Sequence, residues 1–235
     1  MRGFLKHVVG GLVDVVFPAV CEVCGNSLVD GEDVMCLKCY AEIPRTHSHT
    51  DNFGIVHQRL ASTIPIDRAA SFFYYFRENA YARLIQKAKY NQLPRYAEWL
   101  GKNYAREIVG DGFFDGIDML VPVPLNRWKR FRRGYNQSEE VARGVSEITG
   151  IPIADILKAR RHSTQTAKGS FERWLNTHEV YSFDSDVSAI ENRHLLVVDD
   201  VITTGATILA CCKAIHEASP TTRLSVLSIG ITQLR

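Results

Sequence analysis

The 235-residue chain lacks any apolar run near the roughly 18 residues that a membrane-spanning helix needs, so no spanning helix is expected. It lacks the Gly-x-x-x-x-Gly-Lys-Ser/Thr pattern and the Gly-x-Gly-x-x-Gly pattern. The usual signs of a triphosphate loop and of a dinucleotide fold are therefore missing. No His-Glu-x-x-His stretch and no Ser-His-Asp pattern occurs, which leaves hydrolase chemistry without an anchor. Charge of one sign is absent too. Twenty-eight Lys and Arg stand against 26 Asp and Glu, for a net +2. Bulk charge therefore does not mark a nucleic-acid binder, and only local clusters could. There is no internal repeat and no low-complexity tract.

Apolar residues make up 46% of the chain, enough for a sizeable core and too many for a disordered chain. The length suits one α/β domain with a small appendage. Near the start, Phe4, Leu5, Val8, Val9, Leu12, Val13 and Val16 fall at helical spacing with one wet face. Asp14 interrupts the run, and Val20 before Cys21 makes a poor cleavage site. The reading is an amphipathic helix over residues 1–17, docked on its own protein and ended by Pro18. An export signal and a peripheral membrane helix are the weaker alternatives.

Six cysteines occur, and four are paired in spacing: Cys21-x-x-Cys24-Gly25, then Cys36-x-x-Cys39. Two such knuckles can bring four thiolates to one tetrahedral zinc ion, closed and structural rather than catalytic. Gly25 allows the tight turn after the first pair. With no secretory signal beside them, reduced thiols and a cytoplasmic location are expected. Cys211 and Cys212 read as core residues of a later helix. Residues 40–62 show little periodicity and read as a connector. The expected division is 1–62 for helix, zinc module and connector, and 63–235 for an α/β domain. In that domain strands alternate with helices, which argues for a mainly parallel sheet.

The most informative stretch runs from His194 to Ile215. Leu195 to Val198 form an unbroken apolar run, as in a central strand buried on both faces. Asp199 and Asp200 follow at its carboxyl end, then Thr203, Thr204, Gly205, Ala206 and Thr207, then a helix. Gly205 lets the backbone bend and approach a ligand, and the helix directs its free N–H groups at the same spot. That is a cradle for one phosphate. Two carboxylates beside it suit sugar hydroxyls or a divalent cation better than a bare phosphate. A ribose 5-phosphate meets both demands.

VVDDVITTGAT closely resembles the phosphoribosyl pyrophosphate signature of type I phosphoribosyltransferases. The resemblance implies that Asp199 and Asp200 meet the ribose hydroxyls, with Mg²⁺, and that Thr203 to Thr207 hold the 5-phosphate. A second string, VPVPL followed by RGYNQ, also resembles the ComF family of competence-associated proteins, which includes GntX-like proteins. Tyr135 stands where that family usually has phenylalanine. Arg130, Arg133, Gly134, Asn136 and Gln137 match the motif, and Arg130 and Arg133 are the implied pyrophosphate contacts. The same basic stretch, with Trp128, Phe131 and Tyr135 interleaved, also reads as a single-stranded nucleic-acid surface or as a solvated loop. Residues 158–183 resemble a family segment that is a mobile lid in related transferases. Thr164-Gln165-Thr166 departs from its Thr-x-x-Gln spacing, and a plain surface loop is the other reading. The family also carries the four-cysteine zinc finger. Two functions follow from the resemblance. One is phosphoribosyl transfer to an acceptor that the sequence does not name, in a protein of DNA uptake. The other is a non-catalytic, ligand-sensing module that binds single-stranded DNA and partners a DNA-uptake helicase.

Overall fold

The computed structural model describes residues 19–51, 54–60, 64–90, 93–161 and 179–233. The helix expected over 1–17 and the centre of the expected lid lie outside them.

In chain order the helices are α1 (Leu37–Ala41), α2 (Ile55–Arg59), α3 (Ala80–Tyr90), α4 (Pro94–Ile108), α5 (Arg127–Arg133), α6 (Gln137–Thr149) and α7 (Ala206–Ala218). The strands are β1 (Ala69–Tyr74), β2 (Met119–Pro122), β3 (Leu157–Arg161), β4 (Glu179–Phe183), β5 (His194–Ile202) and β6 (Arg223–Ile231). Four strands form one all-parallel sheet in the order β1-β6-β5-β2. The ends of the 158–183 stretch form a separate antiparallel ribbon, β3 with β4.

Alternation along β5 explains the layers. Leu196 and Val198 join a cluster with Tyr96 and Leu100 of α4 and Val141 and Val145 of α6. Leu195 and Val197 join another with Ile208, Cys211, Cys212 and Ile215 of α7. Successive strand residues point to opposite faces, so the unbroken apolar run means helices on both sides. Burying this run is worth about 1.5–3 kcal/mol per large side chain, which places β5 at the centre of the fold.

The four-cysteine module shares the first of these cores. Cys21, Val34, Met35, Cys39 and Ile43 pack in the same cluster as Phe72, Tyr96 and Leu100. Residues 40–60 also hold more structure than a connector would. Ile43, Ser48, Val56, Arg59 and Leu60 are buried, and Arg45 bridges Phe73 of β1. The basic stretch expected as a loop contains a helix, α5. Asn126 caps it by accepting the Lys129 N–H at 2.9 Å, and Gly134 ends it in the left-handed region.

Candidate functional site

Parallel topology puts the carboxyl ends of β5, β2 and β6 along one edge of the sheet, where open α/β sheets hold their ligands. A cleft of about 790 Å³ lies there. Asp199, Asp200, Thr203 and Thr207 form one wall, and Lys129, Arg133 and Ser138 form another.

Asp199 is buried. Its Oδ1 accepts the Ser138 hydroxyl at 2.9 Å and the Asp200 N–H at 2.8 Å. Burial, then the charge of Asp200, pushes its carboxyl up to about 7, against the pull of the Asp200 N–H, Ser138 and Lys89. Asp200 takes the ammonium of Lys89, from the end of α3, at 2.5 Å. Burial disfavours the charge on Lys89, yet the carboxylates of Asp200 and Asp199 outweigh it and raise its hold on the proton. A carboxylate pair in this state gains from the charge of a divalent cation, and its acceptor oxygens suit the hydroxyls of a sugar.

Beside the pair, Thr203, Thr204, Gly205, Ala206 and Thr207 line a small recess. Gly205 has φ +83° and caps α7 without a side-chain bond. Thr203, Thr204, Ala206 and Thr207 are exposed, so the turn offers its N–H groups and hydroxyls outward. The structure brings Arg133 into the same cleft, where it donates to the Gln137 side chain at 2.9 Å. Arg130 faces elsewhere. It pairs with Glu139 at 3.4 Å and lines a neighbouring cleft of about 760 Å³ with Arg127. The two arginines, three residues apart on α5, thus line different clefts. By sequence Lys89 falls in a Lys89-Tyr90 pair that resembles a family motif or serves as a surface cap, and Lys129 belongs to the basic cluster, whereas Ser138 is not singled out. Asn136 caps α6 through the Ser138 N–H at 3.2 Å, and this N-cap pattern was the one signal that could have found Ser138.

The four cysteine sulfurs lie within 4.8 Å of one another, and Cys24 Sγ sits 3.8 Å from Cys36 Sγ. A tetrahedron with metal–sulfur bonds of about 2.3 Å has edges of about 3.8 Å, so the cluster fits one metal ion. Burial raises the Cys21 thiol, but the N–H groups of Cys24, Cys36 and Val23 outweigh it and bring it down to about 6. One ligand is thus ready as thiolate at neutral pH. Gly25, at φ +79°, makes the turn that closes the first knuckle.

The module is joined to the sheet domain by charge as well as by core. Glu22, inside the first knuckle, takes the ammonium of Lys87 and the hydroxyl of Tyr96. Tyr81 donates to the Cys39 carbonyl at 2.9 Å. Arg45 grips Glu107 with two nitrogens, at 2.8 and 2.7 Å. Lys87 and Lys89 therefore tie one helix end to both the knuckle and the acid pair.

Residues 98–231 match the family described as phosphoribosyl transferase domain. The chain is 31% identical to "Competence protein F" of Haemophilus influenzae over 102 residues, 43% of this chain and 44% of that protein. It is 25% identical to "DNA utilization protein YhgH" of Escherichia coli over 194 residues, 80% of each chain. It is 34% identical to "Competence protein ComFC" of Streptococcus pneumoniae over 99 residues, 42% of each chain. The match thus spans less than half the length of the two competence proteins. Among solved structures, a glutamine phosphoribosylpyrophosphate amidotransferase from B. subtilis, complexed with ADP and GMP, aligns at 23% identity and TM-score 0.39. That alignment covers 56% of this chain and 25% of that one.

Proposed function

This chain belongs to the phosphoribosyl transferase domain family, and from that premise we propose that it binds phosphoribosyl pyrophosphate with Mg²⁺ in the cleft over Asp199 and Asp200. The observation that carries the reading is convergence. An acid pair, a phosphate-sized turn and two cationic side chains, Arg133 and Lys129, all face one cavity.

Each feature has a role in such a complex. Asp199 and Asp200 accept hydrogen bonds from the ribose hydroxyls. The N–H groups and hydroxyls of Thr203 to Thr207, with Gly205 and Ala206, hold the 5-phosphate. Arg133 and Lys129 take the pyrophosphate oxygens, and Arg130, which lines the neighbouring cleft, serves a nucleic-acid strand. The divalent ion supplies charge neutralisation between the carboxylates and the pyrophosphate. The four cysteines hold a structural zinc ion. Beyond the acid pair the cleft continues past Tyr75, Gln86 and Thr232, which leaves room for an acceptor in a transfer reaction. Calorimetry of phosphoribosyl pyrophosphate with Mg²⁺ tests the reading. Wild type should bind, and the Asp199→Asn/Asp200→Asn double variant should lose at least about tenfold in affinity. Equal binding by both would end this assignment.

One observation favours a second role. Trp128 is 70% exposed and Phe131 86% exposed, on a helix whose other five residues are all basic. Large aromatics left in water beside arginines suit base stacking and backbone contact on single-stranded DNA. The names of the relatives point the same way, and a helicase of DNA uptake is the proposed protein partner in a reducing, cytoplasmic setting. Trp128→Ala with Phe131→Ala should weaken single-stranded DNA binding at every salt concentration. Arg127→Ala should instead flatten its salt dependence.

A further inference from the structure

The helix α2 and the residue after it press on the back of the phosphate turn. A Cβ placed on Gly205 would meet Leu60 Cδ2 at 3.0 Å and the Arg59 carbonyl at 3.3 Å. From there the buried side chain of Arg59 reaches behind the turn. One terminal nitrogen donates to the Thr203 carbonyl and, at 3.3 Å, to the Thr232 hydroxyl. The other donates to the Thr232 carbonyl at 2.6 Å. The Thr232 hydroxyl in turn donates to the Thr203 carbonyl at 3.3 Å.

Two things about this guanidinium call for a function. Its buried Nε–H finds no acceptor, and among the described residues no carboxylate pairs with it. An unpaired buried cation is costly, and simple stapling of a loop would be served as well by a neutral donor. The geometry also has a direction. In a trans peptide the C=O and the following N–H point to opposite sides, and every described peptide here is trans. Drawing the Thr203 carbonyl back toward Arg59 therefore turns the Thr204 N–H forward, into the recess lined by Thr203 to Thr207.

We propose that Arg59 is a positioning residue for the phosphate turn: it fixes the Thr203–Thr204 peptide with its N–H facing the cleft, and it lends a buried positive charge to the phosphate monoester bound there. The ligand class is a sugar 5-phosphate, and the proposal rests on the phosphoribosyl reading above. The charge sits behind a thin layer of backbone at low dielectric, where it is weakly screened by salt. Its loss should therefore be felt by the ester phosphate and not by a pyrophosphate held across the cleft by Arg133 and Lys129.

The test uses ribose 5-phosphate and inorganic pyrophosphate as separate calorimetric probes of the full chain, with amide exchange at residues 203–207. Failure of wild type to bind ribose 5-phosphate sinks the underlying reading. If wild type binds, Arg59→Met should weaken ribose 5-phosphate by about tenfold or more, leave pyrophosphate within about twofold, and speed exchange of the Thr204 amide. If the Met variant does not fold, Arg59→Lys decides. It keeps the charge and loses the two-armed grip, so ribose 5-phosphate alone should weaken by roughly threefold to tenfold. Equal losses for both probes, or none for either, would overturn the role given to Arg59.

Discussion

Lys89 Nζ rests 2.5 Å from Oδ2 of Asp200, so the acid pair of the cleft has a cation from its own chain. Replacing Lys89 by Met removes an attraction that helps Asp199 ionise. The Asp199 midpoint should then climb above about 7, and binding of a polyanion should demand more Mg²⁺. Carbon-13 titration of the carboxyl groups reads the first effect. An unmoved midpoint would show that the two groups do not communicate.

Asp199 also makes a stability prediction. Its folded-state midpoint of about 7 lies above the 3.8 of an unperturbed aspartate. Between these values the folded protein holds a proton that the unfolded chain has released, so stability falls as pH rises through that window. Asp199→Asn, which can still accept from Ser138, should melt higher than wild type at pH 8. The gain should be on the order of 1–3 kcal/mol, or about 2–4 °C per kcal/mol. It should shrink as pH falls below about 7 and vanish only below 3.8, where both states of the wild type are protonated. Ligand affinity should run the other way in wild type, rising with pH through about 7. A pH-independent difference in melting would refute the assignment.

Gly101 in α4 and Gly144 in α6 mark where those helices touch backbone to backbone. A Cβ on Gly101 would strike the Val141 carbonyl, and one on Gly144 the Glu98 carbonyl. Alanine gains about 1 kcal/mol over glycine in a helix interior, whereas overpacking costs about 1–3 kcal/mol. Rigid backbone cannot rotate aside, so the cost wins. Gly101→Ala should lose about 2 kcal/mol in urea unfolding, and a stabilised variant would contradict the packing.

Metal removal should destabilise the whole protein and not only the module. Val34, Met35 and Ile43 share their core with Tyr96 and Leu100, and Glu22 bonds Lys87 and Tyr96. Stripping the ion with a chelator should therefore lower the melting temperature in one cooperative step and cost ~3 kcal/mol or more of stability. Two separated transitions would show that the module unfolds alone.

Much of this was legible in sequence, for a reason visible in β5. An apolar run between a histidine and two aspartates has one good home, the middle of a parallel sheet, and the turn after it carries its own chemistry in order. The four cysteines were equally plain because metal ligation depends on local spacing. What sequence hid depends on distant parts of the chain meeting. Arg59 reaches Thr203 across 144 positions and Ser138 reaches Asp199 across 61. No window of sequence contains either pair. The helix α5 was hidden differently: five basic residues with two exposed aromatics show no apolar stripe, and only the Asn126 cap and Gly134 mark its ends.

The strand Ala69–Tyr74 lies ahead of the family-matched segment, which begins at residue 98, yet it closes the flank of β6. A fragment trimmed to that segment would keep Asp199, Asp200 and the turn from Thr203 to Thr207, though it would lose Lys89 and Thr232 from the cleft. It would also leave a nine-residue greasy ribbon, Arg223–Ile231, with unmet amides along one side. Such a ribbon recruits its own copies, so insolubility of the trimmed piece would reflect a missing neighbour and not a faulty pocket.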